Sequence, residues 1–232
     1  MKYIMLPDNR ERRLAFYLAM EEYVARHIAC DDLLFLWQVQ PTVIFGRHQV
    51  ADNEVNFDYC RKHGIDVVRR KSGGGCVYAD KDNVMISFIT SGDNIQMTYN
   101  RFMNMLLLVL RKLGIEAVGS SHNDVMIGNR KVSGTAFYHL PGRCIVHATM
   151  LYDTNMEHIT QAITPSREKL QAKGIESVRQ RITLLKDYTS LTIDQFKAFV
   201  RETLCNDTLC LSADDVAEIE KMEQNYMDYS KS

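Results

Sequence analysis

The chain has 232 residues, 46% of them apolar, which is enough for one sizeable core and at most a small second module. Its 28 lysines and arginines against 29 acidic residues leave a net charge of -1, so no global field draws it to nucleic acid or to an acidic membrane. No stretch has the length of a membrane span or the pattern of a secretory leader, and six cysteines without a Cys-x-x-Cys pair fit reduced thiols; the expectation is one soluble, cytoplasmic domain over residues 1–232.

Asp8 and Glu11 read as a capping box before a helix whose apolar positions Leu14, Phe16, Leu18, Met20, Tyr23 and Val24 carry it to about His27. Residues 33–39 and 42–46 are short apolar runs broken by Pro41, which predicts two strands in a hairpin-like pair. Asn53 is placed to cap a helix closed by Gly64, after which IDVVRR reads as a strand. Residues 76–78 and 84–90 are two more strand candidates. From residue 97 to 113 the positions Tyr99, Phe102, Met103, Leu106, Leu107 and Leu110 mark a long core-facing helix, closed by Gly114. IEAV, DVMIG, KVSGTAFYH and CIVHATML, separated by the turn signals Gly128-Asn129 and Pro141-Gly142, read as antiparallel strands. Helical patterns return at 194–204 and 212–227. Strands cluster in the middle and helices at intervals and at the end, which favours the α+β class.

The stretch RRKSGGGCVYAD sets three consecutive glycines between cations and an apolar run. It lacks the Gly-x-Gly-x-x-Gly of a dinucleotide site and the Lys-Ser/Thr of a P-loop, and Cys76, Val77 and Tyr78 after the glycines are strand-like, so no helix dipole serves an anion there. Backbone N–H groups and neighbouring cations would have to do so; a tight hairpin turn with solvated arginines is the plain alternative. In SHNDVMIGNRKVSGTAFYH, a hairpin closed at Gly128-Asn129 brings Asp124 and Lys131 together. That pair suits a metal-bound phosphate and its charge partner, although an ordinary cross-strand ion pair looks the same. The seven histidines include no pair at helical or finger spacing, and no Gly-x-Ser-x-Gly is present. Arg69-Arg70-Lys71 and Arg130-Lys131 lack the interleaved aromatics of a nucleic-acid surface.

PTVIFGRHQ, RRKSGGGCVYAD, ND, RKVSGTAFY, VHATML and AKGIESVRQRIT succeed one another over roughly residues 35 to 185. Together they resemble the lipoate-protein ligase A family. The resemblance implies a biotin/lipoyl ligase-like α+β domain, a mixed and mostly antiparallel sheet flanked by helices. It implies a reaction in two steps, in which lipoate and ATP with Mg2+ form lipoyl-AMP and the lipoyl group then passes to a lysine. The acceptor would be a lipoyl domain of a 2-oxoacid dehydrogenase complex or the glycine-cleavage H protein. Carried onto this chain, Lys131 is the catalytic residue; Arg70, Ser72, Gly73, Gly74, Gly75, Val77, Asn123, Asp124 and His147 bind substrate and adenylate; and Asp124 meets Mg2+ through the phosphate. Val132 is a further candidate for the apolar wall, and residues 172–179 resemble the segment that closes over the adenylate.

The chain departs from the family at Ala79, usually histidine, and at Ala148, usually glycine; the first removes a polar contact near the substrate and the second narrows space. It also ends about where larger members begin an accessory C-terminal domain, which a separate partner protein could supply. Two rivals remain. One is a lipoyl or octanoyl transferase using a preformed donor and a cysteine, for which Cys76 or Cys144 would serve; the other is a non-catalytic lipoate-binding module.

Overall fold

The computed structural model describes residues 1–120, 123–164 and 181–226. Eleven strands and six helices are present among them: β1 (Lys2–Met5), α1 (Leu14–His27), β2 (Leu33–Trp37), β3 (Thr42–Phe45), α2 (Phe57–His63), β4 (Asp66–Arg69), β5 (Val77–Ala79), β6 (Asn83–Ser91), α3 (Ile95–Lys112), β7 (Val118–Gly119), β8 (Asp124–Ile127), β9 (Arg130–Leu140), β10 (Arg143–Leu151), α4 (Met156–Ala162), α5 (Ile193–Leu204), β11 (Asp207–Cys210) and α6 (Ala213–Glu223). Eight strands form one sheet in the order β11-β1-β2-β6-β10-β9-β8-β7, and three form a second in the order β4-β3-β5. Among the named strands of the described residues the β1 pairings and β3 with β4 are parallel and the rest antiparallel, so the sheets are mixed and mostly antiparallel, as expected.

The large sheet is covered on both faces, which is why its central strands are apolar almost without a break. In β2, Leu33, Phe35 and Trp37 join the core beneath α1 and α6, whereas Leu34 joins the core beneath α3 and α5. A third core of Val43, Phe45, Val67 and Tyr78 lies between the small sheet, α2 and α4. Asn94 caps α3 through Met97 N–H, and Thr192 and Ser212 open α5 and α6 with capping boxes. Among the described residues no helix is long and apolar enough to cross a membrane.

Three local expectations are overturned. β2 and β3 do not form a hairpin: β2 lies between β1 and β6, and β3 is the middle strand of the second sheet. An apolar run says strand without saying which strand it pairs with. Asp8 does not cap α1, whose first turn comes after Arg13 without a side-chain cap; its carboxylate instead accepts from Arg12 Nη1 at 2.7 Å and from Arg10. Asn56, not Asn53, caps α2, because residues 51–53 form a separate 3-10 turn; Gly64 does close α2, with φ of 63°.

The face under α3 depends on aromatic packing, since fully buried Phe102 stacks on Phe88 at 6.0 Å between centroids. Phe102→Ala is expected to cost about 3–5 kcal/mol. Denaturant titration reads this as a lowered midpoint at unchanged slope.

Candidate active site

The site lies where the small sheet meets the β9 and β10 side of the large one. β4 and β5 pair with opposite edges of β3, so the glycine-rich segment must cross over the end of β3 to join them. It does so in close contact: Arg70 N–H donates to Phe45 O at 3.0 Å and Arg47 N–H to Ser72 O at 3.0 Å. A Cβ on Gly46 would stand 2.2 Å from the Gly74 carbonyl oxygen, so this position has room for glycine alone. Gly74 itself has φ of 90°, where a side chain is strained.

Arg70 braces the loop from inside. Its buried guanidinium donates to Gly73 O at 2.7 Å, Gly75 O at 2.7 Å and Ile44 O at 3.2 Å. Burial pushes its pKa down to about 10. The carbonyls of Gly73 and Gly75 therefore face Arg70, and the N–H groups of the same planar peptide units point the other way.

A cleft of about 190 Å³ opens beside this loop. Leu18, Trp37, Ile44, Val77 and Met85 form its apolar wall; Gly74, Gly75, Asn123, Asp124, Lys131 and Arg181 bring polar and charged groups to it. The expected pairing of Asp124 with Lys131 is present, with Lys131 Nζ 2.8 Å from Asp124 Oδ1, and Arg181 bonds the other carboxylate oxygen. Residue 132 is an extra residue in β9, since Val125 faces Ser133 while Met126 faces Lys131. This bulge lets Lys131 reach over Gly134, where a Cβ would lie 2.5 Å from Lys131 Nζ. Burial lowers the Lys131 pKa below the ordinary lysine value, and the Asp124 charge opposes that shift. Asn123, at φ of 63°, turns the chain into the site, and the buried Thr135 Oγ1 has no hydrogen-bond partner among the described residues.

Arg70, Gly74, Gly75, Val77, Asn123, Asp124, Lys131 and His147 all line the cleft. Ser72 is buried behind it, its Oγ 2.9 Å from His147 Nε2, and Gly73 is absent from the lining. Val132 points into the core with Phe102 and Leu106, so the wall loses that candidate. Ala148 shares that core, on the face of β10 opposite His147 and Thr149, and Ala79 packs behind the wall; neither lines the cleft. Residues 172–179 lie outside the described residues. Gly46, Trp37, Arg181 and Glu21 were not assigned from the sequence, although Gly46 and Arg181 sit within its family-like motifs. No group of three or more His, Cys, Asp or Glu side chains among the described residues is set to hold a metal. Both Asp124 oxygens are taken by cations, so a Mg2+ here fits as an ion carried mainly on phosphate oxygens.

Residues 13–205 match the family model for the lipoyl protein ligase A/B catalytic domain. The chain belongs to that family. It is 34% identical over 216 residues to lipoate-protein ligase 1 of Staphylococcus aureus strain Mu50, covering 90% of this chain and 66% of that protein. It is 34% identical over 193 residues to lipoate-protein ligase LplJ of Bacillus subtilis strain 168, covering 82% and 58%. The chain thus spans less than two thirds of the length of these curated relatives. Among solved structures, a bi-partite lipoate protein ligase from Thermoplasma acidophilum, described with its E2 lipoyl domain, has a TM-score of 0.82 at 25% identity, covering 96% of this chain and 91% of that one. A lipoate-protein ligase A bound with ATP shares the fold with a TM-score of 0.81 at 23% identity, covering 96% and 94%.

The Gly46 contact makes a direct test in this ligase-family site. Gly46→Ala forces the loop away at Gly74 and is expected to cost about 1–3 kcal/mol of stability, read as a lowered denaturant midpoint with the circular dichroism spectrum retained. A native midpoint in that variant would show that the close approach does not constrain the loop.

Proposed function

We propose that this chain is the catalytic domain of a lipoate-protein ligase that activates lipoate with ATP and Mg2+ and transfers the lipoyl group to a protein lysine. The observation that carries the reading is the Lys131–Asp124–Arg181 cluster set beside Gly74 and Gly75 in a cleft with an apolar wall. A free carboxylate at neutral pH is a poor electrophile, and adenylation supplies a leaving group. The site must then hold an aliphatic chain, neutralise phosphate charge and admit an outside amine.

This chain's residues suit each need. Each buried methylene of the acyl chain contributes about 0.8 kcal/mol against Leu18, Trp37, Ile44 and Met85. Lys131 and Arg181 offer donors to carboxyl and phosphoryl oxygens, where negative charge develops in both steps. Asp124 keeps the two cations side by side. Mg2+ would add charge neutralisation on the phosphates when bound. The E2 lipoyl domain of the Thermoplasma system supports a lipoyl domain as acceptor, with the H protein a second candidate. We place this work in the cytoplasm, in keeping with six free cysteines.

A cysteine-based transferase is disfavoured by the site. Cys76 lines the cleft, but burial pushes its thiol up to about 12, so it stays protonated near neutral pH.

Intact-mass spectrometry of a lipoyl domain separates the steps. Incubation with lipoate and Mg-ATP, and separately with lipoyl-AMP, is expected to add one lipoyl group in both. Modification from lipoyl-AMP alone would restrict the chain to transfer, with activation coming from an accessory unit. Modification in neither would defeat the reading.

The charge balance at Lys131 has a pH signature. With its folded pKa already lowered by burial, loss of the offsetting carboxylate in Asp124→Asn lowers it further. The alkaline limb of kcat/KM for adenylate formation is therefore expected to move to lower pH than in the native chain, and an unmoved limb would show that Asp124 does not support the Lys131 charge. Lys131→Ala is expected to lower both half-reactions by about 100-fold or more.

A further inference from the structure

Behind the cleft, five side chains form one unbroken line of hydrogen bonds. Trp37 Nε1–H on β2 donates to Ser87 Oγ on β6 at 2.8 Å, and that hydroxyl donates to Glu21 Oε1 on α1 at 2.5 Å. Glu21 also lies 3.0 and 3.1 Å from His147 Nδ1 on β10, and His147 Nε2 is 2.9 Å from Ser72 Oγ in the glycine loop. Ser87 is 0% exposed, Ser72 2% and Glu21 4%, so solvent is not at hand to replace a lost partner.

The chemistry of the end groups fixes the direction of the line. An indole N–H can only donate, so Ser87 Oγ accepts there and gives its one proton to Glu21. An ionised carboxylate can only accept, so His147 must present Nδ1–H to it. When the ring is neutral, that tautomer offers Nε2 as an acceptor, to which the Ser72 hydroxyl donates. Ser72 is also held by its carbonyl, which accepts from Arg47 N–H next to the Gly46–Gly74 contact.

We propose that Glu21 is a positioning residue of the site: its carboxylate fixes the His147 tautomer and, through the His147–Ser72 hydrogen bond, holds the glycine loop against β10 in the conformation that receives the adenylate. This rests on the ligase reading above and assigns a task to a carboxylate that does not line the cleft. Glu21 acts at one remove, so its effect must travel through Ser72.

A double-mutant cycle reads that path. Calorimetry with lipoyl-AMP is expected to show Glu21→Leu and Ser72→Ala each weakening binding about 3- to 10-fold, the range for losing one hydrogen bond between neutral groups, here Ser72 with His147. The double variant is expected to bind like the weaker single one, because both break one line. Additive losses, or native affinity in Glu21→Leu, would overturn the proposal. Nitrogen-15 NMR of the native chain with labelled histidine tests it without relying on a variant that folds. With the His147 signals assigned by their loss in His147→Gln, the expected result is a proton on Nδ1 and none on Nε2, and a proton on Nε2 overturns the proposal. If the native chain fails to bind lipoyl-AMP, the ligase reading falls, while the histidine spectrum still decides the tautomer.

Discussion

A buried cation with backbone oxygens around it holds the site in shape. Arg70 is 5% exposed and hydrogen-bonds the carbonyls of Ile44, Gly73 and Gly75. An unsatisfied charge in that position would cost several kcal/mol. The loop is therefore bound to keep these carbonyls turned inward for as long as Arg70 stays folded beneath it. Glycines are what make that arrangement possible, since Gly46 lets the loop approach and Gly74 takes a positive φ. The arginine that the sequence suggested as a ligand contact is first of all a brace, although it also reaches the cleft.

The legibility of the fold tracks the range of the forces involved. α3 was readable because its apolar stripe repeats at helical spacing, and Gly64 and Gly114 because both adopt the left-handed backbone that ends a helix. The nearness of Asp124 and Lys131 was readable because a two-residue turn sets Lys131 opposite Met126, two residues along the strand from Asp124. β1 and β11 were not, being four residues each, and they pair with each other across nearly the whole chain. The partners of β2 and β3 depend on the same kind of long-range pairing, which local patterns do not encode.

The site divides along the same line. Its glycines and cations stand in short motifs, and so were visible. Glu21 was hidden inside a helix that reads as ordinary amphipathic surface, and only the packing of α1 on β6 and β10 makes its carboxylate a buried partner for Ser87 and His147. Arg181 was legible as a residue but not as a partner, because 57 positions separate it from Asp124. Val132 was a candidate for the wall as an apolar strand residue beside Lys131, but at the bulge its side chain joins the core under α3 instead.

The cluster of Lys131, Asp124 and Arg181 combines two cations with one carboxylate, which leaves a single net positive charge at the polar side of the cleft. Without the carboxylate, two cations so close together would repel each other in a poorly hydrated place, and burial already disfavours the charged form of Lys131. Asp124 thus keeps both cations charged and oriented before any anion arrives. An incoming phosphate must then share these donors with Asp124, which lowers the gain on binding but avoids the cost of assembling them. Donors held by a resident carboxylate can return to it when the anion leaves, so the exchange suits a site that must release a phosphate group as readily as it binds one.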